Sequence, residues 1–228
     1  MSRNAPTILA LLLIVATATA FAVTQRLKLE PSPISQTRVD DAFSPVCRCA
    51  SKAANIEFSL RKADQLRIAI GTAAGEVTVA EGSFPRGDVH ARWDGRDASG
   101  EIVPDGIYYP LVHLQRAGRT IDLPNPIRVD TIRPTIKFTS LTPRAFRPGA
   151  EKLKVTYTIS EQAHALLFVD GRRRVFTYST LRGGRLQWHG KVHGRVIRPG
   201  RHKLKLVAED LAGNRSPPTP VVFVRARR

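Results

Sequence analysis

The sequence is short of cysteine, aromatics and acidic groups. It has 2 Cys in 228 residues, so a dense disulfide framework is excluded and a hydrophobic core must hold the fold. Aromatics make up 7%, thin for a surface that stacks bases. No G-x-S-x-G, H-E-x-x-H or Gly-rich phosphate loop occurs. His90, His113, His164, His189, His193 and His202 are scattered, and no nucleophile, base and orienting group are brought together by spacing. His189 and His193 stand four apart, but Gly190 and Gly194 beside them signal turns and not a metal-binding helix. No catalytic residue, metal or cofactor is therefore expected. Beyond residue 25 no amphipathic helical period is present either.

What is present is positive charge and alternating apolar residues. Lys and Arg number 36 against 19 acidic residues, a formal charge of +17. The excess is local. Residues 1–39 sum to +3, residues 40–130 to −2, and residues 131–228, with 21 basic and 5 acidic groups, to +16. Such asymmetry points to an anionic partner. The bland alternative is genomic composition, since the basic residues are 27 Arg to 9 Lys.

Residues 7–24 read TILALLLIVATATAFAVT without a charge, after Arg3 and before Arg26 and Lys28. As a helix this run would span about 27 Å, enough for a hydrocarbon core. Its second half offers A-x-A patterns at Ala16–Ala18, Ala18–Ala20 and Ala20–Ala22, so a cleaved signal peptide and a retained anchor both fit. Either one puts the remainder outside the cytoplasm. Residues 25–41, with Pro31 and Pro33, read as an extended linker.

The rest alternates with period two. Residues 55–60, 65–70, 152–159, 163–169 and 202–207 read as antiparallel strands punctuated by turns. The pattern repeats internally. Phe43-Ser44-Pro45 parallels Phe146-Arg147-Pro148, Trp93-Asp94-Gly95 parallels Trp188-His189-Gly190, and Pro104-Asp105-Gly106 parallels Arg198-Pro199-Gly200. Each copy has the size of an immunoglobulin-like sandwich. The expected class is all-β: two tandem immunoglobulin-like β-sandwiches, over 42–131 and 132–228, behind an N-terminal hydrophobic helix at 1–24. Expected core anchors are Phe43, Trp93 and Tyr108 in the first unit and Phe146, Tyr157 and Trp188 in the second.

The run from Trp93 to Tyr108 contains Trp93, Asp94, Gly95, Asp97, Gly100, Val103, Pro104, Gly106 and Tyr108. It resembles the W-D-G-x-D-x-x-G-x-x-V-P-x-G-x-Y signature of the FlgD-type immunoglobulin-like domain. The second unit keeps Trp188, Gly190, Pro199 and Gly200 but lacks the signature acids and the Tyr. Its Asp210, Ala212, Gly213 and Asn214 resemble the D-x-A-G-N hairpin of bacterial extracellular immunoglobulin-like repeats. The resemblance implies a fold and an envelope or secreted setting more than a chemistry.

The signature acids suit turns, because Asp bonds its own backbone and Gly accepts positive φ. Asp94, Asp97, Ser99, Glu101 and Asp105 also offer oxygen donors for Ca²⁺, but their spacing is not that of an EF-hand. Cys47-Arg48-Cys49 allows a C-x-C disulfide, an intermolecular bridge, or simple strand-entry residues. The basic groups of the second unit include Arg172, Arg173 and Arg174 after a turn, then Arg198, Arg201, Lys203 and Lys205. They are the candidate contacts for an anionic polymer, because Lys203 and Lys205 share one strand face.

The function these features suggest is non-enzymatic: a membrane-anchored or secreted envelope protein with structural or adhesive modules. The alternative is a binding module for cell-wall carbohydrate or an anionic surface polymer through the basic second unit. The expected partners are the membrane, through the leader, and an anionic polymer or another envelope protein. Nucleic acid is not expected.

Overall fold

The computed structural model describes residues 12–21 and 31–228. Residues 12–21 are helical and exposed. Among the described residues no helix is long and apolar enough to cross a membrane. The remainder of the expected leader, 1–11 and 22–24, lies outside the described residues.

Nine strands surround the first hydrophobic cluster. They are β1 (Ile34–Val39), β2 (Ala42–Phe43), β3 (Ala54–Leu60), β4 (Asp64–Thr72), β5 (Gly75–Phe84), β6 (Gly87–Trp93), β7 (Gly106–Leu114), β8 (Arg119–Asp122) and β9 (Ile127–Val129). A sheet ordered β1-β3-β6 faces one ordered β2-β9-β7-β4-β5, with β8 on β7. Alternation sets the facing. In β3, Ala54, Ile56, Phe58 and Leu60 are buried and the residues between them are not. They meet Leu66, Ile68 and Ile70 of β4 and Val112 and Leu114 of β7 in one core.

The segment read as a linker over 25–41 needs correction in its described part, 31–41; residues 25–30 lie outside the described residues. Residues 34–39 form β1, which pairs antiparallel with β3, and Ile34 and Val39 belong to the core at 5% exposure each. Prolines 31 and 33 concealed a strand that begins just after them. Its Ile and Val lie on the core side at both ends while the polar residues between face out, so the period-two signal is weak.

Nine more strands build the second unit: β10 (Ile136–Thr142), β11 (Ala145–Phe146), β12 (Leu153–Val169), β13 (Arg172–Phe176), β14 (Leu181–Trp188), β15 (Lys191–Val192), β16 (Arg195–Val196), β17 (Gly200–Glu209) and β18 (Val222–Ala226). The two strands expected at 152–159 and 163–169 are one, β12, of 17 residues. Its first half pairs with β10 and β14, its second half with β13 and β17, and the register shifts between Thr158 and Ala163. One strand thus serves both layers. Val155, Tyr157 and Ile159 from its first half meet Ala165, Leu167 and Val169 from its second half in one core.

The two units repeat the same closure. Trp93 donates from Nε1 to the Arg96 carbonyl at 2.9 Å, and Trp188 donates to the Lys191 carbonyl at 3.2 Å. Phe43 meets Trp93 edge-on at 5.6 Å, and Phe146 meets Trp188 at 6.2 Å. The glycine two residues on is forced in each case. A Cβ on Gly95 (φ +80) would stand 3.0 Å from the Phe43 ring, and one on Gly190 (φ +70) would stand 2.9 Å from the Phe146 ring. Tyr108 donates to the Pro104 carbonyl at 2.6 Å. In the second unit His202 takes that place, its Nε2 bonding the Arg198 carbonyl four residues back at 2.9 Å.

Two outcomes test this packing. Trp93→Ala should lose about 3–5 kcal/mol of stability in urea unfolding; an unchanged midpoint would mean that Trp93 does not carry the core. A chain starting at residue 42 should lose about 3 kcal/mol or more through exposure of Ile34 and Val39. Equal stability would return the segment to a spacer role.

Candidate functional site

The signature loop of the first unit spends its polar groups on its own backbone. Asp97 Oδ1 accepts hydrogen bonds from the Ser99 amide (2.9 Å), the Ser99 hydroxyl (2.6 Å) and the Glu101 amide (3.0 Å). The Ser99 hydroxyl leads the causes that hold its carboxyl below the usual value. Asp94 accepts from the Arg96 amide and Asp105 from the Thr131 amide. Asp94 and Asp97 thus lock their own turns, while Asp105 ties the loop to the segment that follows β9.

Cys47 and Cys49 are joined in a disulfide. The loop that carries it touches the second unit. A Cβ on Gly213 would stand 2.7 Å from Cys49 Sγ. Beside this contact, Asn214, 2% exposed, donates from Nδ2 to the Asp130 carbonyl and to Asp210 Oδ2, both at 2.9 Å. The D-x-A-G-N hairpin is thus also the tie to the segment that links the units.

At this junction the carboxylates of Asp130, Glu161 and Asp210 lie within 4.8 Å of one another. Oxygen donors of this kind suit hard cations, but Asp210 is already engaged by Asn214, and Arg182 and Arg128 rim the hollow. What the arrangement establishes is repulsion. Burial first, then Asp130 and Asp210, raise the Glu161 carboxyl above its ordinary value, and Arg182 opposes them. Burial likewise raises Asp210, partly offset by the Asn214 hydrogen bonds.

The basic residues of the second unit sort by strand register. Residues 204, 206 and 208 of β17 point into the core, so Arg201, Lys203 and Lys205 point out. Lys205 pairs with Phe168 of β12, and Phe168 pairs with Arg173 of β13. Arg201 pairs with Arg225 of β18, and Lys203 with Phe223. Arg173, Arg201, Lys203, Lys205 and Arg225 therefore share one outer sheet face. The other three candidates do not join them. Arg172 has the opposite parity at the turn. Arg174 is half-buried in the β13 bulge, its Nε without a hydrogen-bond partner. Arg198 lies in the loop before β17. Arg225, one of the basic residues of the C-terminal tail, joins this face through the cross-strand register that sets it beside Arg201.

Phe168, Val207 and Pro218 floor a groove of about 690 Å³ on this face, walled by Lys203 and Lys205 and closed at one end by Asp170 and Gly171. Asp170 is hydrogen-bonded on both carboxylate oxygens. His202 lies 2.6 Å from its Oδ2, and the Lys203 amide donates to its Oδ1 at 2.9 Å. Burial raises its carboxyl, but these partners outweigh burial and the net shift is downward. The guanidinium carbon of Arg201 lies 3.5 Å from the Phe223 ring centroid, a cation–π contact.

Facing sheets over a single core in each unit define the immunoglobulin-like sandwich class. Within it, residues 47–118, from the disulfide to the turn after β7, match the family model described as FlgD Ig-like domain. No curated protein matches the chain. Similar solved structures include the fibronectin(III)-like modules of Clostridium thermocellum CbhA, at 19% identity and TM-score 0.46 over 84% of this chain and 94% of that one. The YadV chaperone is similar at 10% identity and TM-score 0.34 over 85% and 99%. Domains 5–6 of the S-layer protein SbsC are similar at 9% and 0.29 over 85% and 97%. Similarity at this level transfers neither a ligand nor an activity.

The junction carboxylates give a signed prediction. Glu161 binds its proton more tightly folded than unfolded, so its charge at neutral pH weakens the fold and protonation relieves it. Glu161→Gln should raise the melting temperature at pH 7, with the gain shrinking as pH falls through the raised Glu161 value. A variant that melts lower at pH 7 would show that Arg182 outweighs the repulsion.

Proposed function

We propose that this is a non-enzymatic bacterial envelope protein whose two immunoglobulin-like modules are held outside the cytoplasm, anchored or released, in a structural or adhesive role. The observation that carries the reading is the use of the signature itself. The acids and glycines that offered a chemical site lock turns and close cores instead, leaving their residues to build a spacer of two sandwiches. The Cys47–Cys49 disulfide supports an oxidising compartment, and the uncharged run at 7–24 supports export.

Fractionation of a bacterial host expressing the chain, with N-terminal sequencing and thiol titration, tests this. A membrane-bound full-length form, or a form trimmed after one of the A-x-A patterns, with no titratable thiol in either, is the expected result. Full-length protein in the cytosol with both thiols free would sink it.

The outer face carrying Arg173, Arg201, Lys203, Lys205 and Arg225 favours a second reading, in which the second unit is a module binding an anionic surface polymer or cell-wall carbohydrate.

A further inference from the structure

The second reading leaves its ligand open, and the geometry of the face narrows it. Arg201, Lys203 and Lys205 stand at alternate positions of one strand, so their side chains rise about 6.6 Å apart in a straight row. Arg225 on β18 stands directly opposite Arg201, and Arg173 lies in line with Lys205 beyond Phe168. Three cations thus form a row, with one flanking charge on each side. Two acidic groups lie beside the row: Asp170, held in place by His202 and the Lys203 amide, and Glu209, paired with Arg215. A uniformly positive row of this kind suits a ligand with charges repeated along its length, not a single small anion.

Membrane is the competing occupant, and the face lacks its usual anchor. A bilayer-docking surface presents apolar side chains beyond its cations. Here Phe223 lies beneath the Arg201 guanidinium, and Phe168 and Val207 line the groove beside Lys205. Phe168 and Val207 are half-buried, and Phe223, 37% exposed, carries the Arg201 guanidinium over its ring. A guanidinium over a ring face can still offer N–H groups in parallel to two phosphate oxygens.

Resting on the second reading above, we propose that this face binds a linear phosphate-bearing polymer, its chain running along β17 with successive phosphates on Arg201, Lys203 and Lys205 and with Arg173 and Arg225 flanking. The groove then takes the backbone between phosphates against Phe168, Val207 and Pro218.

The test is binding of the full chain in mild detergent to end-labelled inorganic polyphosphate across a salt series. Five contacts predict a slope of log K against log salt near −3.5, at about 0.7 per phosphate for a single strand. The triple variant Arg201→Gln, Lys203→Gln, Lys205→Gln should bind at least tenfold more weakly and flatten the slope by about 2. A control triple of equal charge on the other layer, Lys137→Gln, Lys154→Gln, Arg185→Gln, should keep both. Equal losses in the two triples would make the binding a net-charge effect and overturn the proposal. So would equal affinity for polygalacturonate, or binding to phosphatidylglycerol vesicles without binding to polyphosphate. Salt-insensitive retention on purified cell wall with no polyphosphate binding would overturn the phosphate assignment and leave the carbohydrate form of the second reading standing. No binding to either would remove both.

Discussion

An indole wedged between a phenylalanine ring and a turn that tolerates no side chain holds each half of this protein shut. The wedge sits where one strand leaves its sheet, so it fixes both the end of the strand and the path of the following loop. Trp93 and Trp188 each cap that loop by donating to a carbonyl three residues on. The phenylalanine against each belongs to a two-residue strand near the start of its unit, so the wedge also pins the chain's entry to its middle. Everything else, including the polar turns of the signature and the outward face of β17, is oriented by that closure.

The two units then diverge in what they display. The first turns its acids on its own backbone and stays near neutral. The second drops the signature acids, puts His202 where the first has Tyr108, and lines its outer face with cations. Because the wedge is common to both, charge is free to vary without cost to the core. The +16 of the C-terminal part is therefore a property of a surface, and in β17 it is concentrated on alternate residues that the core never uses.

Much of the fold could be read along the chain because its information is local. Alternation marked β3, β4 and β17, and the Trp-x-Gly and Phe-x-Pro pairs marked the repeat. Where the information is non-local, reading failed. The polar middle and flanking prolines of β1 hid a core strand whose burial depends on β3. The break at residues 160–162 suggested two strands where a register shift lets β12 continue from one layer to the other. For the candidate face, Lys203 and Lys205 were visible as neighbours at i and i+2. Arg173 could be separated from Arg172 and Arg174, and Arg225 added, only through pairings across β13, β12, β17 and β18. The junction acids Asp130, Glu161 and Asp210 come from three distant stretches, and no spacing announces them.

The short strands that carry the phenylalanines run parallel to the last strand of their unit: Ala42 and Phe43 beside Arg128 and Val129, Ala145 and Phe146 beside Arg225 and Ala226. Tension applied at the two ends of a unit pulls such a pair lengthwise past itself. The bonds across it are then loaded together in shear, not peeled one at a time, and the ring behind each pair must move before the strands can slide. A chain tethered at one end and gripped at the other would meet its resistance to extension at those two seams.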